Sequence, residues 1–379
     1  MDAQRLKDSF ARVAEQGDAV ALFFYSDLFV RNPQIREMFP IGMSAQRDKL
    51  LGALGRIVSQ VDVLPELVPF LRQLGRDHRK FSVVAEHYPE VGASLVATLR
   101  YFLGPEWSDD LAEDWTAAYN LVAKVMLEAA NEDAMVRPAW WNAQVISHER
   151  RRFDIAMLRV MPDRPLGYLP GQSVALEASS RRRGWRYYSM ANAPRADHTL
   201  DFHVRLVDGG LISQTLVRTL RVGDWVRLGP PIGTLTLDQE SERDILLVAG
   251  STGLAPIKAI LEQIARRATP PRVHLFFGAQ TADALYDLED LGKRAAESPW
   301  LTVVPAVSAP GDTLPSAGDA HGAQHGVLPD VVARHGHWAE HDAYVCGSPD
   351  MVVATTERLA QLGLPRNRIR LESFADAQR

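Results

Sequence analysis

Few residues in this chain join a chemically useful side chain to a position where it could act, and His78 is the first. Leu67, Leu71, Leu74 and His78 recur at helical spacing, which puts the imidazole on the apolar face of its own helix. A histidine so placed is either a satisfied core residue or a ligand to something held beside it. Tyr25, Phe39, Gln46 and Tyr88 flank it along the chain, and Gln46 shares a helix face with Leu50, four residues on. A second cluster begins near residue 245. The run ILLVAGSTGLAPIKAIL reads as a buried strand, a turn Gly250-Ser251-Thr252-Gly253, and a helix with Pro256 in its first turn. Glycines at such a turn let the backbone approach a pyrophosphate, whose charge a helix N-terminus favours. An ordinary strand–helix turn has the same outline. Cys346 is the only cysteine. One thiol excludes an internal disulfide framework, a cysteine-rich zinc site and a full iron–sulfur cluster. No base motif accompanies it, so it reads as a small buried hydrophobe and not as a nucleophile.

The elements that must position these residues fall into three textures. The 379 residues suffice for two or three domains, and 46% hydrophobic with 23% charged residues is ordinary globular chemistry. Lys and Arg number 42 against 47 Asp and Glu, so no basic field favours nucleic acid or an anionic membrane. No apolar run approaches the roughly 18 residues of a membrane span. The charged start MDAQRLKDSFARVAEQ has no secretory apolar core, so a cytoplasmic location is expected. Residues 1–130 carry helical periodicity. Val20 to Phe29 is apolar nearly all round, predicting an enclosed helix. Ser44 is the expected cap of a helix bearing Leu50, Leu54, Ile57, Val58 and Val61. Leu121, Val122, Val125, Met126 and Ala129 supply a last stripe. After NEDAMVRPAWWN, short strands (FDIAMLRV, QSVALEA, TLDFHVRLV, DWVRLG) alternate with turns at Pro170-Gly171, Gly209-Gly210 and Pro230-Pro231, predicting a small antiparallel barrel over 143–238. From 243, ILLVAG, VHLFFG, LTVVPAV, AYVCG and IRLESF alternate with helical stretches, as in a parallel sheet wound with helices. The Gly-, Ala-, Asp- and His-rich loop from Ala309 to Gly326 is assigned no function.

With Tyr25, Phe39, Gln46, His78 and Tyr88 in that order, the chain resembles the bacterial flavohaemoglobins. LFFYSDLFVRNPQIREMF is similar to the second globin helix and its following turn, and LGRDHRKFSVVAEHY to the proximal-histidine region. The resemblance implies haem b with His78 as the axial iron ligand. It implies Phe39 against the haem face, Tyr25 donating its phenol proton to bound dioxygen, and Gln46 and Leu50 completing the distal wall. Tyr88 is implied as the support of the proximal imidazole. One departure stands out: the family pairs this tyrosine with a glutamate on the last globin helix. Aligned without gaps, that glutamate falls on Ala130, with Glu128 and Glu132 two positions to either side, a rotation of roughly 200°.

RYYS at Arg186, Tyr187, Tyr188 and Ser189, followed by MANAP, resembles the R-x-Y-S signature of ferredoxin-reductase-like flavin domains. The resemblance implies Arg186 on the FAD pyrophosphate, Tyr188 stacked on the isoalloxazine, and Ser189 near its reactive nitrogen. Pro170-Gly171-Gln172, with Tyr168 just before it, is similar to the turn shaping that pocket. Gly209-Gly210-x-x-Ser213 is similar to the segment that opens a helix against the pyrophosphate, and Gly229-Pro230-Pro231-x-Gly233 to the next turn. Behind this barrel, Gly250, Ser251, Thr252, Gly253 and Pro256 look like the nicotinamide site. Cys346-Gly347-Ser348-Pro349 resembles the C-G-x-P turn beside it. Glu372-Ser373-Phe374 resembles the terminal segment whose aromatic covers the flavin, but ADAQR follows where the family continues with Gly-Pro. GAQTADALY holds no arginine for a 2′-phosphate, so NADH is implied over NADPH.

The resemblance spans almost the whole chain and implies an all-α globin over 1–135, an antiparallel β-barrel FAD domain over 140–240 and an α/β parallel-sheet NAD domain over 241–379. The implied activity is NADH-dependent conversion of nitric oxide and dioxygen to nitrate, by electron transfer from FAD to haem, with no separate protein partner required. Three other readings stay open. One is a divergent flavohaemoglobin acting as NADH oxidase or as a peroxide or other haem-linked reductase. Another is an oxygen-binding globin kept ferrous by its reductase. The last is an oxygenase-type reductase passing electrons to a partner.

Overall fold

The structure is a computed structural model and describes residues 1–309 and 322–374. Most of the Gly- and His-rich loop and the terminal ADAQR lie outside the described residues. The chain divides into two compact units, Met1–Trp140 and Trp141–Arg379.

The first unit is helical: α1 (Ala3–Ala14), α2 (Asp18–Arg31), α3 (Pro33–Arg36), α4 (Ser44–Ser59), α5 (Leu64–His78), α6 (His87–Leu103) and α7 (Asp109–Val136). Local chemistry sets several ends. The Asp2 carboxylate accepts from the Gln4 and Arg5 amides at the start of α1, and Ser108 caps α7 through the Leu111 amide. Pro33 opens α3 directly after Asn32. Ser44 does not cap α4. It is the first helical residue, Met43 takes the cap position, and no side chain bonds there. Nor is α2 enclosed: Val20, Ala21, Phe24, Tyr25 and Leu28 are buried, whereas Leu22 is 53% exposed. An apolar outer face made the helix look enclosed from sequence. Leu6, Phe24, Tyr25, Leu28, Leu95 and Trp115 share one core, and Leu67, Leu71, Tyr88 and Met126 form another between α5, α6 and α7.

The second unit holds two six-stranded sheets. The first is antiparallel, in the order β4-β3-β6-β1-β2-β5, from β1 (Trp141–Arg150), β2 (Ile155–Pro162), β3 (Ser173–Ala178), β4 (Arg186–Ser189), β5 (Leu200–Arg205) and β6 (Trp225–Ile232). Met190, just after β4, bridges Phe202 on β5 and nearly closes the sheet into the expected barrel. Sequence reasoning missed β1, although Trp141, Ala143 and Val145 alternate inward along its first half. The helix after Gly209-Gly210 is short, α8 (Leu211–Gln214), and runs into a wider π-helical turn over Thr215–Thr219.

The other sheet is parallel, in the order β10-β9-β8-β7-β11-β12. Its strands are β7 (Ile245–Gly250), β8 (Val273–Ala279), β9 (Leu301–Val307), β10 (Gln324–His325), β11 (Asp342–Gly347) and β12 (Ile369–Ser373). Helices α9 (Leu254–Ile264), α10 (Leu288–Glu297), α11 (Leu328–His335) and α12 (Pro349–Gln361) connect them. Both faces are buried, which is why these strands read as continuous apolar runs. Leu247 and Ala249 face one core, Leu246 and Val248 the other. No helix among the described residues is long and apolar enough to cross a membrane.

Candidate functional site

In the helical unit, α2 delivers Tyr25, the first turn of α4 delivers Gln46, and α5 ends on His78. The Gln46 Nε2 amide donates to the Tyr25 hydroxyl at 3.2 Å, while the hydroxyl stands 3.5 Å from the Gln46 carbonyl. Tyr25 is only 5% exposed, among Phe24, Phe29 and Phe39 with ring centroids 5.1 to 5.7 Å away. Burial pushes its phenol up to about 12, against the smaller opposing effect of Gln46. Phe39 and Leu50 are half-buried beside the same core.

His78 Nδ1 lies 2.7 Å from the Leu74 carbonyl, one turn back. A carbonyl only accepts, so Nδ1 carries the proton and Nε2 keeps its lone pair. Desolvation moves the imidazole below its usual pKa, against the Leu74 hydrogen bond. Both facts suit a neutral ligand to a metal. Tyr88 is buried, with its phenol shifted upward by burial. Its carbonyl accepts from the Tyr119 hydroxyl at 2.5 Å, whereas its own hydroxyl forms no hydrogen bond among the described residues.

In the barrel, β4 holds the RYYS motif. Arg186 is half-buried, Tyr187 is exposed, Tyr188 packs against the barrel core and Ser189 is buried. Pro170-Gly171 leads into β3 at a site of close approach. Gly171 has φ +96°, and a Cβ there would collide with the Leu235 carbonyl oxygen. Gln172 braces the turn, accepting from the Leu169 amide at 2.9 Å. The Tyr168 hydroxyl donates to the Asn192 carbonyl at 2.8 Å, pinning the loop before that turn. The Ser213 hydroxyl donates to the carbonyl of Gly210 and accepts from the Val207 amide.

In the parallel sheet, β7 runs through Gly250, Ser251 and Thr252 to Gly253 and into α9, with Pro256 in its first turn as expected. Backbones crowd here: a Cβ on Gly253 would overlap the Cys346 carbonyl oxygen, and one on Gly347 would stand 3.3 Å from the Gly250 Cα. Cys346 is fully buried on β11, and burial raises its thiol well above the ordinary range. That matches an inert packing residue. Strand β12 pairs Glu372 with Cys346, and the Ser189 hydroxyl donates to Glu372 Oε2 at 3.4 Å. Desolvation raises the Glu372 carboxyl to about 7, partly offset by Ser189 and Ser173. Phe374 packs half-buried on the same lobe. Glu372 was visible in sequence only as the first letter of a motif prized for its aromatic. Its company with Ser189 needs the sheet.

The globin family model matches residues 22–126, the oxidoreductase FAD-binding domain 141–237, and the oxidoreductase NAD-binding domain 247–357. A flavohemoprotein of Bordetella parapertussis is 26% identical over 388 residues, covering 95% of this chain and 94% of its own length. The chain belongs to the flavohaemoprotein family. A flavohemoglobin from Malassezia yamatoensis, solved with bound FAD and haem, shares the fold with a TM-score of 0.77 at 18% identity, covering 98% of each chain. The ferredoxin–NAD(P)(+) reductase component of a Pseudomonas putida naphthalene 1,2-dioxygenase system is 33% identical over 235 residues, 61% of this chain and 67% of its own.

As a flavohaemoprotein the chain is an oxidoreductase whose cofactors are haem, FAD and a nicotinamide dinucleotide. Its residues fit them. A desolvated imidazole whose Nε2 keeps its lone pair, a half-buried Arg186 two residues before the barrel-packed Tyr188, and a strand–glycine–helix junction are each suited to one group. Among the described residues, no carboxylate around position 130 bonds to the Tyr88 hydroxyl. Ala130 on α7 is small and half-buried, Glu128 is exposed, and Glu132 is paired with Arg72.

Proposed function

We propose that the chain converts nitric oxide and dioxygen to nitrate, using NADH and passing electrons from FAD to haem. The observation that carries this reading is the state of the Tyr25 phenol. Its oxygen already accepts from Gln46, burial keeps it protonated up to about 12, and its own donation, to the Gln46 carbonyl, is stretched to 3.5 Å, so the proton is readily redirected to a better acceptor. The hydroxyl is thereby an oriented donor in apolar surroundings, where charge developing on a small oxygen-containing ligand is stabilised most.

When bound, the nicotinamide supplies hydride, the flavin parts its two electrons, and haem iron provides the centre at which the gases react. His78 offers Nε2 to that centre, and Phe39 and Leu50 form its apolar wall. Tyr88 supports the proximal side. In the second unit Arg186 neutralises the FAD pyrophosphate, with Gly210 and Ser213 shaping the loop beside it. Tyr188 packs on the flavin ring, Tyr168, Gln172 and Tyr187 frame it, and Phe374 covers it. Ser189 and Glu372 hold the proton that accompanies hydride movement. Gly250, Ser251, Thr252, Gly253, Pro256, Cys346 and Gly347 form the nicotinamide site. The three domains run over 1–135, 140–240 and 241–379. NADH is the donor because the loop after β8, GAQTADALY, carries no arginine of its own for a 2′-phosphate. The lone buried thiol suits a reducing cytoplasm, and no acceptor protein is needed.

Protein loaded with haem and flavin should consume nitric oxide in aerated buffer only when NADH is present, releasing nitrate in equal amount. Tyr25→Phe should lower that turnover about 10²-fold, the loss expected for one oriented donor. NADH consumption indifferent to nitric oxide, at full haem occupancy, overturns the reading. A Tyr88 hydroxyl with no carboxylate bond among the described residues favours what would then remain: a haem-linked NADH oxidase or peroxide reductase, or an oxygen-binding globin kept ferrous by its reductase.

A further inference from the structure

The α7 carboxylate that matters on the proximal side lies three residues past Ala130. Asp133 is buried, its side chain 4% exposed, and it accepts from Arg79 Nη1 and, at 2.6 Å, from Arg137 Nε. The second Arg79 nitrogen, Nη2, donates to the Arg137 carbonyl at 2.9 Å. Arg79 is itself only 12% exposed. A pair this enclosed escapes most solvent screening, and breaking it leaves an uncompensated buried charge.

Arg79 immediately follows His78. On the other side, three residues before the imidazole, Gly75 lies so close to α7 that a Cβ would overlap the Met126 carbonyl oxygen. The His78 backbone is therefore bracketed at −3 and +1 by contacts to one helix. Within the bracket its imidazole donates to a neutral carbonyl, Leu74, and the Tyr88 hydroxyl forms no hydrogen bond among the described residues.

We infer that Asp133 is a positioning residue for the axial imidazole, acting through Arg79. Here an ion-pair clamp on the ligand's backbone takes over the orientation that a tyrosine–glutamate pair supplies elsewhere in the family. The inference rests on the reading of His78 as the haem ligand. Asp133 touches neither iron nor substrate. It sets where the end of α5 stands, and so the tilt of the ring relative to the iron.

The test is resonance Raman spectroscopy of the ferrous, haem-loaded full chain, read with the rate of haem transfer to an apoglobin acceptor. Asp133→Asn should shift or broaden the iron–histidine stretch and speed haem loss about ten-fold, the lower end of what removing such a supporting partner costs. Asp133→Glu, which keeps the charge, should recover most of the wild-type line. Glu132→Gln breaks the Arg72 pair between the same two helices away from the imidazole and should leave the line unmoved. A purely structural Asp133 would change melting temperature and not the stretch, and that result overturns the proposal. Should Asp133→Asn not fold, Arg79→Lys reports on the same line with the same two outcomes. An iron–histidine line that survives His78→Gly refutes the ligand reading itself, and the proposal with it.

Discussion

A carboxyl and a phenol show how burial assigns roles in this protein. Tyr25 is kept a donor because desolvation makes its anion costly, while the adjacent amide fixes its direction without taking its proton. Glu372 is moved by the same force in the direction that matters near neutrality, from 4.5 to about 7. Its folded carboxyl binds a proton more tightly than the unfolded one does. This group's contribution to stability is therefore complete below about 4.5 and is lost as pH rises through about 7. Glu372→Gln should flatten the denaturation midpoint between those values and remove a break near pH 7 from the rate of flavin reduction by NADH. Stopped-flow traces at fixed ionic strength would check the second effect. An unchanged pH profile would mean that the carboxyl takes no part. None of this was legible from residue types. Tyr25 and Gln46 are 21 positions apart, and Ser189 and Glu372 are 183 apart.

The helices and strands carry their own constraints. Gly75 looks like any small residue on an amphipathic stripe, yet α5 and α7 meet backbone to backbone there. Gly75→Ala should destabilise the helical unit by about 1–3 kcal/mol, the usual cost of overpacking, because the obstructing atom is a main-chain carbonyl and cannot rotate aside. Urea unfolding monitored by helical circular dichroism would measure it. Helical and strand runs were readable wherever one face is apolar and the other polar. The reading failed where that contrast fails. In α2 an exposed Leu22 imitates burial, and in β1 a tryptophan pair and a polar second half mask the alternation. Ser44 has the right chemistry for a cap but stands one residue too late, since local signals place helix ends only within a residue or two.

At the scale of the molecule, separate cores predict separable chemistry. The clusters around Tyr25 and Tyr88 share no residue with those of the barrel and the parallel sheet. His78→Ala should therefore abolish haem retention while leaving flavin bound and NADH-driven reduction of a soluble dye intact, as absorption spectra before and after NADH would show. Flavin lost together with haem would contradict that independence. Inside the second unit the barrel and the parallel sheet are tied by polar contacts, one buried and one part-buried. The His203 ring nitrogen meets the Tyr286 hydroxyl at 2.8 Å, and the Ala193 amide donates to the Glu262 carboxylate on α9 at 3.0 Å. These contacts had no sequence signature. By itself the sequence determined the three textures, their order and the short motifs, because apolar period, glycine turns and adjacent side chains are local properties of the chain. Only the tertiary structure decided which distant groups share a low-dielectric site. The proton held by Tyr25, the raised Glu372 and the Arg79–Asp133 clamp all depend on exclusion of water by residues far apart in sequence, and no local pattern encodes that.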